Sequence, residues 1–185
     1  MGKMIETVAF ILCCLVLILI SRKTIHSLRS HGLYRLISWI SLTGLFLLNW
    51  RYWFRDAFSI LQIISWISLV ISILLLVEGL MGLHKQGKPN DSRVDESLLG
   101  LEKTTQLVNG GIYQYIRHPM YSSLLFLGVG IFLKAPSLWS GGLLVLAIVF
   151  LHLTALVEEQ ENIRYFGNGY IGYMARTKRF IPYIW

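Results

Sequence analysis

The sequence predicts an all-α, polytopic membrane protein with about five transmembrane helices. Two observations on composition predict it. The chain of 185 residues is 55% apolar or aromatic and only 15% charged, against about 45–50% and about 25% in an ordinary soluble domain. Its mean hydropathy is +0.58. A third observation is placement: the apolar residues fall in blocks of span length, with the cations between them. This argues against a soluble enzyme and excludes a disordered chain, a collagen and a disulfide-rich secreted module.

The first block, Met4 to Ile20, has no small-residue cleavage site after it, and further spans follow, so it reads as a retained helix rather than a signal peptide. Its adjacent Cys13 and Cys14 read as small apolar residues. The second block runs from about Leu33 to Asn49 and the third from about Ala57 to Leu83, with Glu78 near its end. A polar segment follows, from His84 to Asn109, and contains Lys88-Pro89-Asn90-Asp91. The fourth block, Pro119 to Lys134, and the fifth, Leu138 to Val157, are joined by Ala135-Pro136-Ser137, so they should form an antiparallel helical hairpin. The tail from Glu158 to Trp185 mixes charges with aromatics. The expected division is 1–83, three N-terminal transmembrane helices, and 84–185, a catalytic region of cytosolic loop, hairpin and C-terminal helical tail.

The net charge of +7 would suggest nucleic acid in a soluble chain. Between hydrophobic blocks it reads instead as loop retention and contact with anionic lipids, with no nucleic-acid partner. With the tail placed in the cytosol, only Lys3, Arg51, Arg55 and Lys134 of the 17 Lys and Arg residues fall outside. The expected topology is therefore N-terminus outside, C-terminus and active site cytosolic.

Three constellations carry candidate chemistry. Leu107 to Tyr121 ends at a helix start, where Pro119 suits the first helical position. The free N–H groups of such a terminus favour a carboxylate or phosphate, with Arg117 and His118 beside it. The same two residues could also be interfacial anchors that snorkel to lipid phosphate. Glu158-Glu159 follow the fifth block, and two carboxylates at a helix C-terminus oppose the helix dipole, a cost that a bound cation would relieve. A sulfonium, an amine or a ribose diol could use one of them, and a solvated helix stop is the plainer alternative. In Phe166 to Met174, Tyr170 and Tyr173 would share a helical face and could cover a cofactor or form an aromatic belt. Arg176, Lys178 and Arg179 read as headgroup contacts. Glu78 is a functional candidate as an acidic residue in a span. His152, on the fifth span, reads as a buried hydrogen-bonded side chain. Gly128, Gly130, Gly141 and Gly142 read as close-packing positions. No motif for a tightly bound metal is present.

The ordered set Leu107-Val108-x-x-Gly111-x-Tyr113-x-x-x-Arg117-His118-Pro119-x-Tyr121, then Glu158-Glu159, Phe166-Gly167-x-x-Tyr170-x-x-Tyr173 and Pro182, resembles the isoprenylcysteine carboxyl methyltransferase family and its phospholipid-methyltransferase relatives. The resemblance covers about the last 80 residues. It implies S-adenosyl-L-methionine (SAM) as cofactor, bound on the cytosolic face, and a lipidic methyl acceptor taken from the bilayer. It places cofactor binding on Thr105, Gln106, Leu107, Val108, Tyr113, His118, Pro119, Met120, Tyr121 and Glu158. The prenylcysteine-methylating members resemble one another in an arginine one turn before the first glutamate. This sequence has Thr154 there, which removes a charge-assisted contact to a substrate carboxylate and leaves Arg117 to compensate.

Methyl transfer from a sulfonium needs alignment and exclusion of water above all. Arg117 is the expected orienting residue. An amine or hydroxyl acceptor would also need a base, for which Glu159 and His118 are the candidates. Two rival readings remain open at this stage. One is an NADPH-dependent sterol-type membrane reductase, which would need cations for a 2′-phosphate. The other is a non-enzymatic membrane subunit.

Overall fold

A computed structural model describes residues 2–22, 24–25, 31–88 and 104–185. Among these, six α-helices account for nearly all regular structure: α1 (Gly2–Ser21), α2 (His31–Asn49), α3 (Ile60–Gln86), α4 (Pro119–Phe132), α5 (Leu138–Phe166) and α6 (Asn168–Arg176). The Pro89-Asn90-Asp91 run lies outside the described residues. Four helices, α1, α2, α3 and α5, are long and apolar enough to cross a membrane. Their outward residues, such as Val8, Leu12, Ile63, Ile67, Val70 and Val145, are exposed. Such a surface suits hydrocarbon rather than water.

The fourth apolar block falls short of the expected span. α4 has 14 residues and rises about 21 Å, against a hydrocarbon core of about 30 Å. Pro119 fixes where it starts. At its other end the chain turns through Ala135 to Ser137 into α5, where Ser137 and Ser140 cap each other's backbone N–H groups. The hairpin of α4 and α5 forms as the short turn predicts.

α4 is held against α3 by polar side chains within the apolar packing. Gln62, Ser65, Ser68 and Ser72 recur every three or four residues, so they form one stripe of α3. They donate in turn to the carbonyls of Lys134 (3.0 Å), Gly130 (2.6 Å), Phe126 (2.8 Å) and Ser123 (2.7 Å). A Cβ at Gly130 would lie 2.8 Å from the Leu69 side chain, so the bare glycine is what lets the two backbones approach. α2 packs on α5, where Ser38 donates to the carbonyl of Ala147 and Leu45, Ala147, Leu151 and Ala155 are buried. α1 packs on α2, and Glu6 accepts from Trp50 and Arg51 at the end far from Glu158.

Two sequence expectations change. α5 does not stop near Val157; it continues two further turns to Phe166, so Glu158 and Glu159 lie inside a helix rather than at its C-terminus. The helix ends instead at Gly167, whose φ of 60° few other residues adopt. The dipole penalty inferred for the two carboxylates therefore does not apply. Lys134 is not a free loop cation. Its ammonium sits 3.5 Å from the centre of the Trp66 ring and bonds Gln62 Oε1 at 3.0 Å, and burial lowers its pKa.

Candidate functional site

The site exists because α4 starts late. α3 and α5 both run on beyond the level of Pro119, leaving a recess between Gly79–Gln86 and Glu158–Phe166 with the N-terminus of α4 as its floor. Tyr113 and Val108 from the preceding loop, and Tyr170 and Tyr173 from α6, close the sides.

Glycines seat the loop on α3. A Cβ at Gly82 would come within 2.8 Å of the Tyr113 ring, and one at Gly79 within 3.1–3.3 Å of Met120 and Pro119. The Tyr113 hydroxyl donates to the carbonyl of Gly79 at 3.2 Å, and Gln86 Oε1 accepts from the Gly110 N–H at 3.1 Å. Gly111, with φ 61°, turns the chain into the short 3₁₀ segment that carries Tyr113. From the other side, the Tyr173 hydroxyl donates to the Tyr113 carbonyl at 2.7 Å. Tyr113 is thus fixed at both ends, and Tyr173, held by burial well above the ordinary phenol range, keeps its donor proton.

The tail then locks the loop. Backbone bonds run from Lys178 N to Tyr115 O (2.9 Å), Arg117 N to Lys178 O (2.8 Å) and His118 N to Arg179 O (3.1 Å). They deliver Arg179 to Glu159. Arg179 Nη2 bonds Oε2 at 2.7 Å and its Nε bonds Oε1 at 3.0 Å, while Arg117 Nε bonds Oε1 at 2.8 Å. This bond to Glu159 raises the Arg179 pKa. Arg117 Nη1 also donates to the carbonyls of Met174 and Thr177. Arg179 is therefore no headgroup contact; it clamps the tail to α5.

Glu158 faces the other way. Its Oε2 accepts from the Tyr121 hydroxyl at 2.6 Å and lies 3.7 Å from His118 Nδ1. The His118 ring stacks on Tyr121 with centroids 5.3 Å apart, 10° from parallel. Glu158, Tyr121 and His118 all line the recess, whereas Glu159 is buried behind it at 2% side-chain exposure.

Of the residues singled out in the sequence, Leu107, Val108, Tyr113, Arg117, His118, Pro119, Met120, Tyr121 and Glu158 line this one recess. Thr105 and Gln106 do not: Thr105 bonds the Lys88 carbonyl and Gln106 is exposed. Glu78 is exposed on α3, and His152 stacks on Trp185 away from the recess. Thr154 is fully buried, with its hydroxyl turned back onto the Phe150 carbonyl. Sequence reasoning missed Leu83, Thr104 and Asn162 as lining residues, and it named Phe166 without a place in the recess. Asn162 and Phe166 follow Glu158 at steps of four, a helical stripe that became visible only once α5 was known to continue. It also missed Gly79 and Gly82, whose three-residue spacing on a span was the available signal.

Residues 93–169 match the family model described as phospholipid methyltransferase. The match agrees with the resemblance read from the motifs, and it supports a membrane methyltransferase in general. No curated protein and no solved structure matches the chain.

Proposed function

We propose that the protein is an integral-membrane methyltransferase that uses SAM and acts on a lipidic acceptor drawn from the bilayer. The observation that carries this reading is the convergence of the α4 N-terminus, the Glu158 carboxylate and the Tyr113, Tyr121 and His118 rings on one recess. The donor set fits the cofactor's parts: backbone N–H groups for a carboxylate, a carboxylate for a cation or a diol, and aromatic faces for the rest. When bound, SAM supplies a methyl group already activated by its sulfonium.

The chain's own residues then bind, align and exclude water. The N–H groups of the first α4 turn would hold the anionic end of the cofactor. Tyr121 holds Glu158 in one orientation, and Tyr113, fixed by Gly79 and Tyr173, walls the recess. Glu159 is a positioning residue, because two guanidinium groups engage its carboxylate and it would take a proton only by giving up those bonds. His118 is then the group in the recess suited to accept a proton from an amine or hydroxyl acceptor. Thr154 offers no charge to a carboxylate acceptor.

A reductase using NADPH is disfavoured by the lining. Among the described lining residues the permanent cation is Arg117, and it is already bonded to Glu159 and Thr177. The reading is tested by retention of tritiated SAM against NADPH on detergent-solubilised protein, with Glu158→Gln alongside. The expected result is micromolar SAM binding by the wild type, weakened about tenfold or more in the variant with unchanged thermal unfolding. Equal SAM affinity in the two proteins removes Glu158 from the site, and binding of NADPH alone reverses the reading.

A further inference from the structure

The recess extends along α5 past the residues already given a role. Glu158, Asn162 and Phe166 are successive members of one stripe, so they face the recess as a ladder. From the first to the last the helix rises about 12 Å, and the direction is away from the α4 floor. The chemistry changes along the ladder from carboxylate to amide to aromatic ring. At the far end the Phe166 and Tyr170 rings lie 20° from parallel with centroids 6.4 Å apart, and Tyr165 packs edge-on against Phe166 at 4.8 Å. Asn162 is tied to the Tyr170 hydroxyl. Burial and the Glu158 and Glu159 charges hold the Tyr170 phenol above its ordinary range, so the hydroxyl stays protonated.

We propose that Asn162 and Phe166 form a nucleobase subsite, in which Phe166 stacks on the face of a purine and the Asn162 amide meets its edge. The proposal rests on the SAM reading above and deepens it. A purine presents both donors and acceptors along its edge, and a side-chain amide presents both side by side in one plane. Its face needs a flat apolar partner, and Phe166 is half-buried with Tyr165 and Tyr170 fixing its plane. The order along α5 places the base at the end away from the hairpin and the rest of the ligand toward Glu158 and the α4 N-terminus. The reacting end then lies nearest the bilayer, where a lipidic acceptor arrives.

The test is competition against tritiated SAM on the solubilised full chain, using S-adenosylhomocysteine and the base-less S-ribosylhomocysteine as probes. Wild type, Phe166→Leu, Phe166→Tyr and Asn162→Ala are compared, with thermal unfolding recorded for each. Base stacking on an aromatic residue is worth about 1–3 kcal/mol, so Phe166→Leu should lose about tenfold for the adenosyl ligand. Phe166→Tyr should keep its affinity, Asn162→Ala should lose severalfold, and competition by the ribosyl ligand should be unchanged. An unchanged adenosyl affinity in Phe166→Leu overturns the subsite. So does an equal loss in Phe166→Tyr, which also decides the matter should Phe166→Leu fail to fold, or an equal loss for the base-less ligand. A wild type that retains no SAM removes the parent reading instead, so the two failures are told apart.

Discussion

Glu158 and Glu159 are neighbours in the chain, but successive residues of an α-helix point about 100° apart. One carboxylate therefore reaches the recess and the other reaches the buried guanidinium groups behind it. The two should respond differently to removal. Glu159→Ala leaves Arg117 and Arg179 without their counter-charge in a largely buried setting, a change that costs about 3–5 kcal/mol. The expected result is a lower unfolding temperature in detergent and release of the 177–185 tail to protease, whereas Glu158→Gln should leave both unchanged. A Glu159→Ala protein as stable as wild type would show that the ion pairs contribute nothing net. Sequence reading assigned Glu158 to the cofactor and Glu159 to a proton-accepting role, but that Glu159 sits behind the recess depends on how far α5 runs and which guanidinium groups pack beside it. Arg179 was misread for a related reason: its role depends on the backbone pairing of 178–179 with 115–118, which joins segments some 60 residues apart.

At the scale of elements, the site is made by a mismatch in length. α3 has 27 residues and α5 has 29, while α4 has 14. The shortfall leaves both long helices with exposed inner faces, and the loop and tail fill most of that space. The hydrophobic blocks were legible because apolar runs bounded by polar turns need no tertiary information. The Ser65, Ser68 and Ser72 ladder was not, since isolated serines in a span carry no outward sign of which carbonyl they will meet. Gly82 offers a test of the same register. Gly82→Ala puts a methyl group 2.8 Å from the Tyr113 ring, so the ring must shift and the loop with it. SAM affinity should fall about tenfold or more. Gly142→Ala, where nothing lies within 4 Å of the added carbon, should bind and unfold as wild type. Equal SAM binding by both variants would mean that Tyr113 is not held where the cofactor reads it.

For the whole molecule, composition alone was enough to give the class, because a chain 55% apolar cannot hide that surface from water at this size. Orientation is a finer matter, and the structure changes how the charges should be counted. Arg35 is 1% exposed, and Arg117 and Arg179 are bonded to Glu159, so none of these acts as a free loop cation at the site end. Lys134 is withdrawn in the same way at the opposite end, under Trp66. Among the described residues this leaves Arg22, Lys85, Lys88, Arg164, Arg176 and Lys178 at the site end, against Lys3, Arg55 and an Arg51 that bonds Glu6 at the other. The bias survives the correction, and positive residues near span ends are retained in the cytosol. The site end should therefore face the cytosol. Reporters fused after Trp185 test this: a cytosol-dependent fluorescent protein should light up there, and an enzyme active only after export should stay silent. The reverse pattern would put the recess on the far side of the membrane. Adding lysines beside Arg51 and Arg55 should weaken the bias and produce chains of mixed orientation, which ties the outcome to these charges rather than to the fusion.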